Sequence, residues 1–273
     1  LSYPQGYGLN YLDNAALWVG AMSGSDTLVS SATGMAWDDI HEFWSDKYPE
    51  GKIIYRSNKD PEAPEYDSSI SNQDYIAVYF DTLTDAAYTG FDYYTGQPHR
   101  PLGVKVTQSS YAWGYDYAED FIIFDYAIAN VGEYDLDNAY IGLYFDLDAG
   151  KEDTDNGDDD ICGFRKAAAS KYLPDLIDTI NIVWGADNNG DPNAGGNLQG
   201  LRSPSSVIGL RVLRTPGDGA EFSFNWWTTS WIATRDWGPR KYPAGQQDVR
   251  RFHGVLGTPY GDNDKYYMMA QRE

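Results

Sequence analysis

The sequence predicts an all-β chain, an antiparallel β-sandwich of jelly-roll or immunoglobulin-like kind, with long Asp/Gly-rich loops and one or two short helices. Three observations carry this. Short aromatic and β-branched runs recur along the 273 residues, bounded by Gly, Pro, Asn or Asp. No strand–helix–strand rhythm links them, which argues against a parallel sheet. The acids are mostly Asp, 32 against 9 Glu, and Asp favours turns where Glu favours helices.

In chain order, strand candidates are residues 15–22 (AALWVGAM), 52–55, 74–83 (DYIAVYFDTL), 103–115, 121–129 (FIIFDYAIA), 139–147 (AYIGLYFDL), 180–184, 207–213, 222–228 and 266–269. Helix candidates are 37–44 (WDDIHEFW), with Trp37, Ile40, Phe43 and Trp44 at helical spacing, and a short turn at 166–172. No fixed-period repeat or low-complexity linker interrupts the pattern. The runs at 188–200 and 216–220 read as long loops inside the fold. The length is at the upper end for one hydrophobic core, so one large domain over 1–273, or two closely packed ones, is expected.

Charge excludes several functions. The net charge is −21, and nucleic-acid binding needs a basic face. Adsorption to an anionic membrane is disfavoured for the same reason. No stretch approaches ~18 apolar residues, so membrane insertion is not expected. The charge is also uneven: residues 1–160 carry −23 and residues 161–273 carry +2. The single cysteine, Cys162, excludes an intrachain disulfide and reads as a buried small apolar residue in Ile161-Cys162-Gly163-Phe164. The chain begins at Leu1, without a basic start or an apolar leader, as a processed or trimmed product would.

The strongest chemical signal is FDLDAGKEDTDNGDDDIC at 145–162. Eight carboxylates fall within the fifteen positions 146–160: Asp146, Asp148, Glu152, Asp153, Asp155, Asp158, Asp159 and Asp160. Asp146 and Asp148 lie two apart at a strand end and share a face. A loop with Gly150 and Gly157 can fold back to complete a shell of oxygens, as Ca²⁺ requires; Mg²⁺ prefers fewer protein ligands and more water. The alternative is a solvated acidic loop. A second candidate is Asp187-Asn188-Asn189-Gly190-Asp191, where Asp187, Asn189 and Asp191 hold the first, third and fifth positions of an EF-hand-like loop. Position twelve is Leu198, so this is not an EF-hand; it is either a smaller calcium loop or an Asn-Gly turn.

Enzyme constellations are weak. His41, His99 and His253 form no zinc-protease spacing, no Gly-x-Ser-x-Gly elbow occurs, and no glycine loop cradles a phosphate. Acidic pairs such as Asp38/Asp39 or Glu119/Asp120 would suit a glycosidase, but 41 acids make such pairs common by chance. No catalytic residue is assigned. Trp226, Trp227, Trp231 and Trp237 form a cluster that either stacks on sugars or fills a core or interface.

Several strings carry a resemblance as a set. They include residues 1–4 (LSYP), 15–21, 101–108 (PLGVKVTQ), 140–148 (YIGLYFDLD), 187–192, 213–216, 223–227 (SFNWW), 236–240 (DWGPR), 257–259 and 261–269 (GDNDKYYMM). Together they resemble a family of large secreted β-rich surface proteins of Bacteroidetes-like bacteria, whose members often end in a type IX secretion sorting domain. The resemblance covers nearly the whole chain. It implies an extracellular or cell-surface location, brings no catalytic residues, and matches the acidic loop. Family members usually continue beyond the point where this chain stops, so 1–273 reads as a candidate piece of a longer precursor.

The expected function is an extracellular structural protein that self-assembles head to tail into a filament, tube or surface layer, stabilised by Ca²⁺. The unlike charge of the two halves motivates the head-to-tail contact. The alternative is a calcium-stabilised carbohydrate-binding or adhesion module, with glycans as partners.

Overall fold

The computed structural model describes residues 9–33, 40–45, 51–92, 94–151, 160–171, 173, 175–187, 207–217, 219–227, 238–239, 259 and 261–270. The fold is all-β. Strands β1 (Leu9–Ser23), β2 (Asp26–Ser31), β3 (Ile54–Ser57), β4 (Glu65–Tyr66) and β5 (Gln73–Phe80) precede the one-turn helix α1 (Ala86–Thr89). Then come β6 (Val104–Ala112), β7 (Ile122–Asn130), β8 (Asp137–Lys151), β9 (Ile161–Ala169), β10 (Ile177–Ala186), β11 (Ile208–Arg211), β12 (Gly238–Pro239) and helix α2 (Asp262–Ala270).

These strands form three sheets, ordered β2-β1-β8, β11-β10-β9-β12 and β4-β3-β5-β6-β7. Most neighbours are antiparallel; β12 beside β9 and β4 beside β3 are short parallel pairs. The chain divides into two compact units. Unit 1 comprises Leu1–Leu17, Gly142–Tyr260 and Tyr267–Glu273, and unit 2 comprises Trp18–Ile141 and Gly261–Tyr266.

In unit 2 the core gathers Trp18, Val19, Ala21, Leu28, Val29, Ile40, Leu102, Val104 and Val106. Residues 16–21 of β1 are all buried, the pattern of a strand covered on both faces. In unit 1, Tyr11, Leu12, Ala16, Leu17, Tyr144, Ala149, Ala186 and Met268 are buried.

Four local expectations are corrected. In the described part of the 37–44 helix candidate, residues 40–43 form no helix and Trp44 bridges Phe80 in antiparallel fashion. Residues 166–169 extend β9, because Ala167, Ala168 and Ala169 pair with Thr179, Asp178 and Ile177. Tertiary pairing here overrides the helix propensity of alanine. Residues 222–227 carry no regular structure. Residues 266–269 lie in α2, whose first turn carries Asp262 and Asp264, acids that suit a helix N-terminus. A four-residue apolar run is too short for its period to distinguish strand from helix.

Candidate metal centre and a buried ion network

β8 sets up the acidic site of unit 1. Alternation along the strand puts Asp146 and Asp148 on one face and Leu147 on the other. Leu147 packs on Gly185 of β10 so closely that a Cβ there would lie 2.4 Å from Leu147 Cδ2. Asp13, on the neighbouring strand β1, adds a third carboxylate. Burial and then the Asp13 charge push the Asp146 carboxyl up to about 6, against a hydrogen bond from the Tyr144 hydroxyl. The same two causes raise Asp148 above the usual carboxylate range. Asp148 Oδ1 is buried and accepts no hydrogen bond from the described residues.

Two more carboxylates flank the β9–β10 ladder. The last pair of that ladder is Ile161 with Ala186. Asp160 and Asp187 therefore face each other one step beyond it. Each is only 8% exposed. Asp160 Oδ2 accepts the backbone N–H of Ala149 at 2.8 Å, which ties this end of β9 to β8 beside Asp148. Cys162 sits one residue inside the ladder; burial, then the Asp160 charge, pushes its thiol up to about 12.

The sequence-predicted ligands therefore divide. Asp146, Asp148, Asp160 and Asp187 belong to strands or strand ends of unit 1. Asp153, Asp155, Asp158, Asp159, Asn189 and Asp191 lie outside the described residues. Asp13 was missed, because nothing in sequence links it to a segment more than a hundred residues later. Among the described residues, no group of three or more histidine, cysteine, aspartate or glutamate side chains is gathered tightly enough to hold a metal ion. Ca²⁺ needs six to eight oxygens. The described residues alone form no such shell; Asp148 Oδ1 is a buried carboxylate oxygen left without a hydrogen bond among them.

Of the tryptophans, Trp226 is half-buried and Trp227 stacks on Tyr144 with centroids 5.5 Å apart and planes 12° from parallel. One face of Trp227 is thus used in packing. Trp231 and Trp237 lie outside the described residues.

Unit 2 holds a second polar cluster that sequence reasoning did not assemble. His99 Nδ1 meets Glu42 Oε1 at 2.9 Å, and His99 Nε2 meets the Asp81 carbonyl at 2.7 Å. Glu42 Oε2 accepts the Ser31 backbone N–H at 2.7 Å. The Asp81 carboxylate accepts from the Ser30 hydroxyl at 2.7 Å and from the backbone N–H groups of Leu102 at 2.7 Å and Val104 at 2.8 Å. Lys265, 2% exposed, donates to Ser31 Oγ at 3.2 Å and lies over the Trp18 ring at 5.5 Å. Burial, then the Glu42 charge, pushes Asp262 up to about 6, against the Lys265 charge.

This cluster contains serine, histidine, carboxylate and lysine, yet its geometry is that of a scaffold. Both ring nitrogens of His99 are engaged, and Ser30 and Ser31 are 0% exposed. A general base must reach a proton on a substrate or nucleophile that solvent can also reach. The network instead holds β2, the segment before β3, the β5 end and α2 in register.

Among the described residues no helix is long and apolar enough to cross a membrane. Comparison with family models, with curated proteins and with solved structures finds no match for this chain.

Proposed function

We propose that this chain is a calcium-stabilised, β-rich structural module that associates with copies of itself outside the cell. The observation that carries the calcium reading is the carboxylate set Asp13, Asp146, Asp148, Asp160 and Asp187 in unit 1, with Asp148 Oδ1 buried and unsatisfied. A buried carboxylate oxygen without a hydrogen bond, as at Asp148, is costly, and a bound cation offsets that cost. On this reading Asp148, with its buried oxygen, is the first ligand, and Asp146 beside it on the same face of β8 is the second.

Self-association is supported by β7. Among the described residues it is the edge of the five-stranded sheet, nine residues long, with Ile122 and Phe124 about half exposed. A long, hydrophobic free edge is a template for pairing with another chain. The uneven charge of the sequence favours unlike surfaces meeting, and the resemblance to secreted surface proteins supports the extracellular setting.

The test is negative-stain electron microscopy of the chain at high concentration in calcium and in EDTA, with sedimentation velocity alongside. Regular filaments, tubes or layers in calcium that disperse in EDTA support the reading. Monodisperse monomers under both conditions contradict the assembly part.

A further inference from the structure

In the described five-stranded sheet of unit 2, the strands present no charged side chain on one face; the charge at that face's edge is the Asp60 carboxylate, in the loop after β3, which accepts from the Tyr55 hydroxyl at 3.3 Å. Register places Tyr55, Tyr75, Ser110 and Phe124 in one row across β3, β5, β6 and β7. Ala77, Gln108 and Tyr126 form the next row. The charged residues of these four strands, Arg56, Asp74, Lys105 and Asp125, all fall on the opposite face by alternation. That segregation stands out in a chain that is 22% charged.

The uncharged face is also built for stacking. Tyr55 and Tyr75 lie 5.0 Å apart and 19° from parallel, and Phe124 and Tyr126 lie 6.2 Å apart and 17° from parallel. Between these two pairs runs β6, presenting Ser110 and Gln108, and Gln108 Oε1 is oriented by the Tyr79 hydroxyl at 2.9 Å. The face deepens toward the buried Val106 and opens at its other end, where Tyr75 is 44% and Phe124 47% exposed. Two strand spacings separate Tyr75 from Phe124, about 10 Å, a gap that linked sugar rings span.

We propose that this face binds an uncharged polysaccharide, with Tyr75 and Phe124 stacking on sugar rings and Gln108 and Ser110 hydrogen-bonding the hydroxyls between them. The chemistry fits in three ways. Flat aromatic rings offer contact to the axial C–H face of a pyranose at small entropy cost, and Tyr adds a polar tip. Amide and hydroxyl side chains give and accept hydrogen bonds without the desolvation cost of a charge. The missing charge selects a neutral ligand, because a chain of net charge −21 repels an acidic one and the face offers no cation to hold it. The site is distinct from the tryptophan cluster of unit 1 and does not depend on the calcium reading.

The experiment is native affinity electrophoresis of the chain, run both in calcium and in EDTA, in gels containing a neutral β-glucan, xyloglucan, mannan or starch, with alginate as the acidic comparison. Retardation is expected in at least one neutral gel and not in alginate. Tyr75→Ala and Phe124→Ala are expected to weaken it about tenfold each, while Asp125→Ala on the opposite face leaves it unchanged. Thermal melts of each variant check folding, and Phe124→Tyr, which keeps the ring, is expected to retain binding. No retardation in any neutral gel overturns the proposal. So does equal retardation of Tyr75→Ala, Phe124→Ala and the parent chain. Concentration-dependent dimerisation abolished by Phe124→Ala, without polysaccharide retardation, likewise overturns it and makes the face a contact between copies.

Discussion

Asp160 accepts the backbone N–H of Ala149 across eleven positions of sequence. This single bond brings together the two ends of the most acidic run in the chain, with Asp148 on one side and Asp187 on the other. At this end of β8 the charge of Asp13 disfavours ionisation of Asp146 and Asp148, and that repulsion opposes folding.

The first prediction concerns pH. Asp146 holds its proton more tightly folded, at about 6, than unfolded, at 3.8. The folded state then binds more protons in that window, so stability falls as pH rises from about 4 to about 6. The loss is at most about 3 kcal/mol for this group. In EDTA, the melting temperature should be higher at pH 5 than at pH 7.5. Asp146→Asn should raise the melting temperature of the metal-free chain at pH 7.5 and blunt its response to calcium. A variant less stable than the parent in EDTA would contradict the repulsion.

The second prediction concerns His99 and Glu42. Burial opposes charge on His99, and the Glu42 carboxylate together with the Asp81 carbonyl outweighs it, raising His99 above 6.5. A group raised in this way stabilises fully below its unfolded value and loses the contribution as pH rises through its folded one. Glu42→Gln or His99→Gln should each cost about 3–5 kcal/mol in urea melts at pH 6, since each leaves a buried partner uncompensated. The gap between parent and His99→Gln should narrow toward pH 9. A constant gap would mean that His99 is neutral throughout.

The third prediction concerns Gly163. It is the cross-strand partner of Trp184, whose indole lies over it; a Cβ would stand 2.7 Å from Trp184 Cζ2. The ring is rigid, so Gly163→Ala must move it or the strand. Overpacking of this kind costs about 1–3 kcal/mol. Trp184→Leu in the same chain should recover part of the loss, and a chemical denaturation cycle over the two sites reads the coupling.

The fourth prediction concerns Cys162. Its thiol is pushed up to about 12 by burial and by Asp160. Only the thiolate is nucleophilic, so labelling by a disulfide reagent at pH 8 should be slow in the native chain and fast in urea. Faster native labelling in EDTA than in calcium is expected, because Cys162 adjoins the acidic site. The Cys162 side chain is half-buried, and rapid labelling in calcium would contradict its raised thiol.

Period-2 patterning made the strands legible where it was strong. Residues 121–129 were expected to be a strand, and β7 runs Ile122–Asn130. It failed where tertiary pairing overrode propensity, as in the alanines of β9, and where four apolar residues at 266–269 could belong to either element. Asp146 and Asp148 were legible as same-face carboxylates because the spacing itself says so. Asp13 was not, since its neighbourhood depends on β1 lying beside β8. The opposition of Asp160 to Asp187 rests on the β9–β10 register, and the His99–Glu42 pair spans 57 positions. Both are products of topology, which local patterns do not carry. The uncharged sheet face was hidden for the same reason: Tyr75, Ser110 and Phe124 become neighbours only in register.

Calcium binding by the acidic site of unit 1 is tested most directly by calorimetric titration of the EDTA-stripped chain with CaCl₂, paired with thermal melts. The expected result is saturable binding heat, weakened strongly by Asp148→Asn. At a hundredfold excess over the dissociation constant, the melting temperature should rise by about 5–10 °C. No binding heat, with identical melts in calcium and EDTA, would contradict the claim.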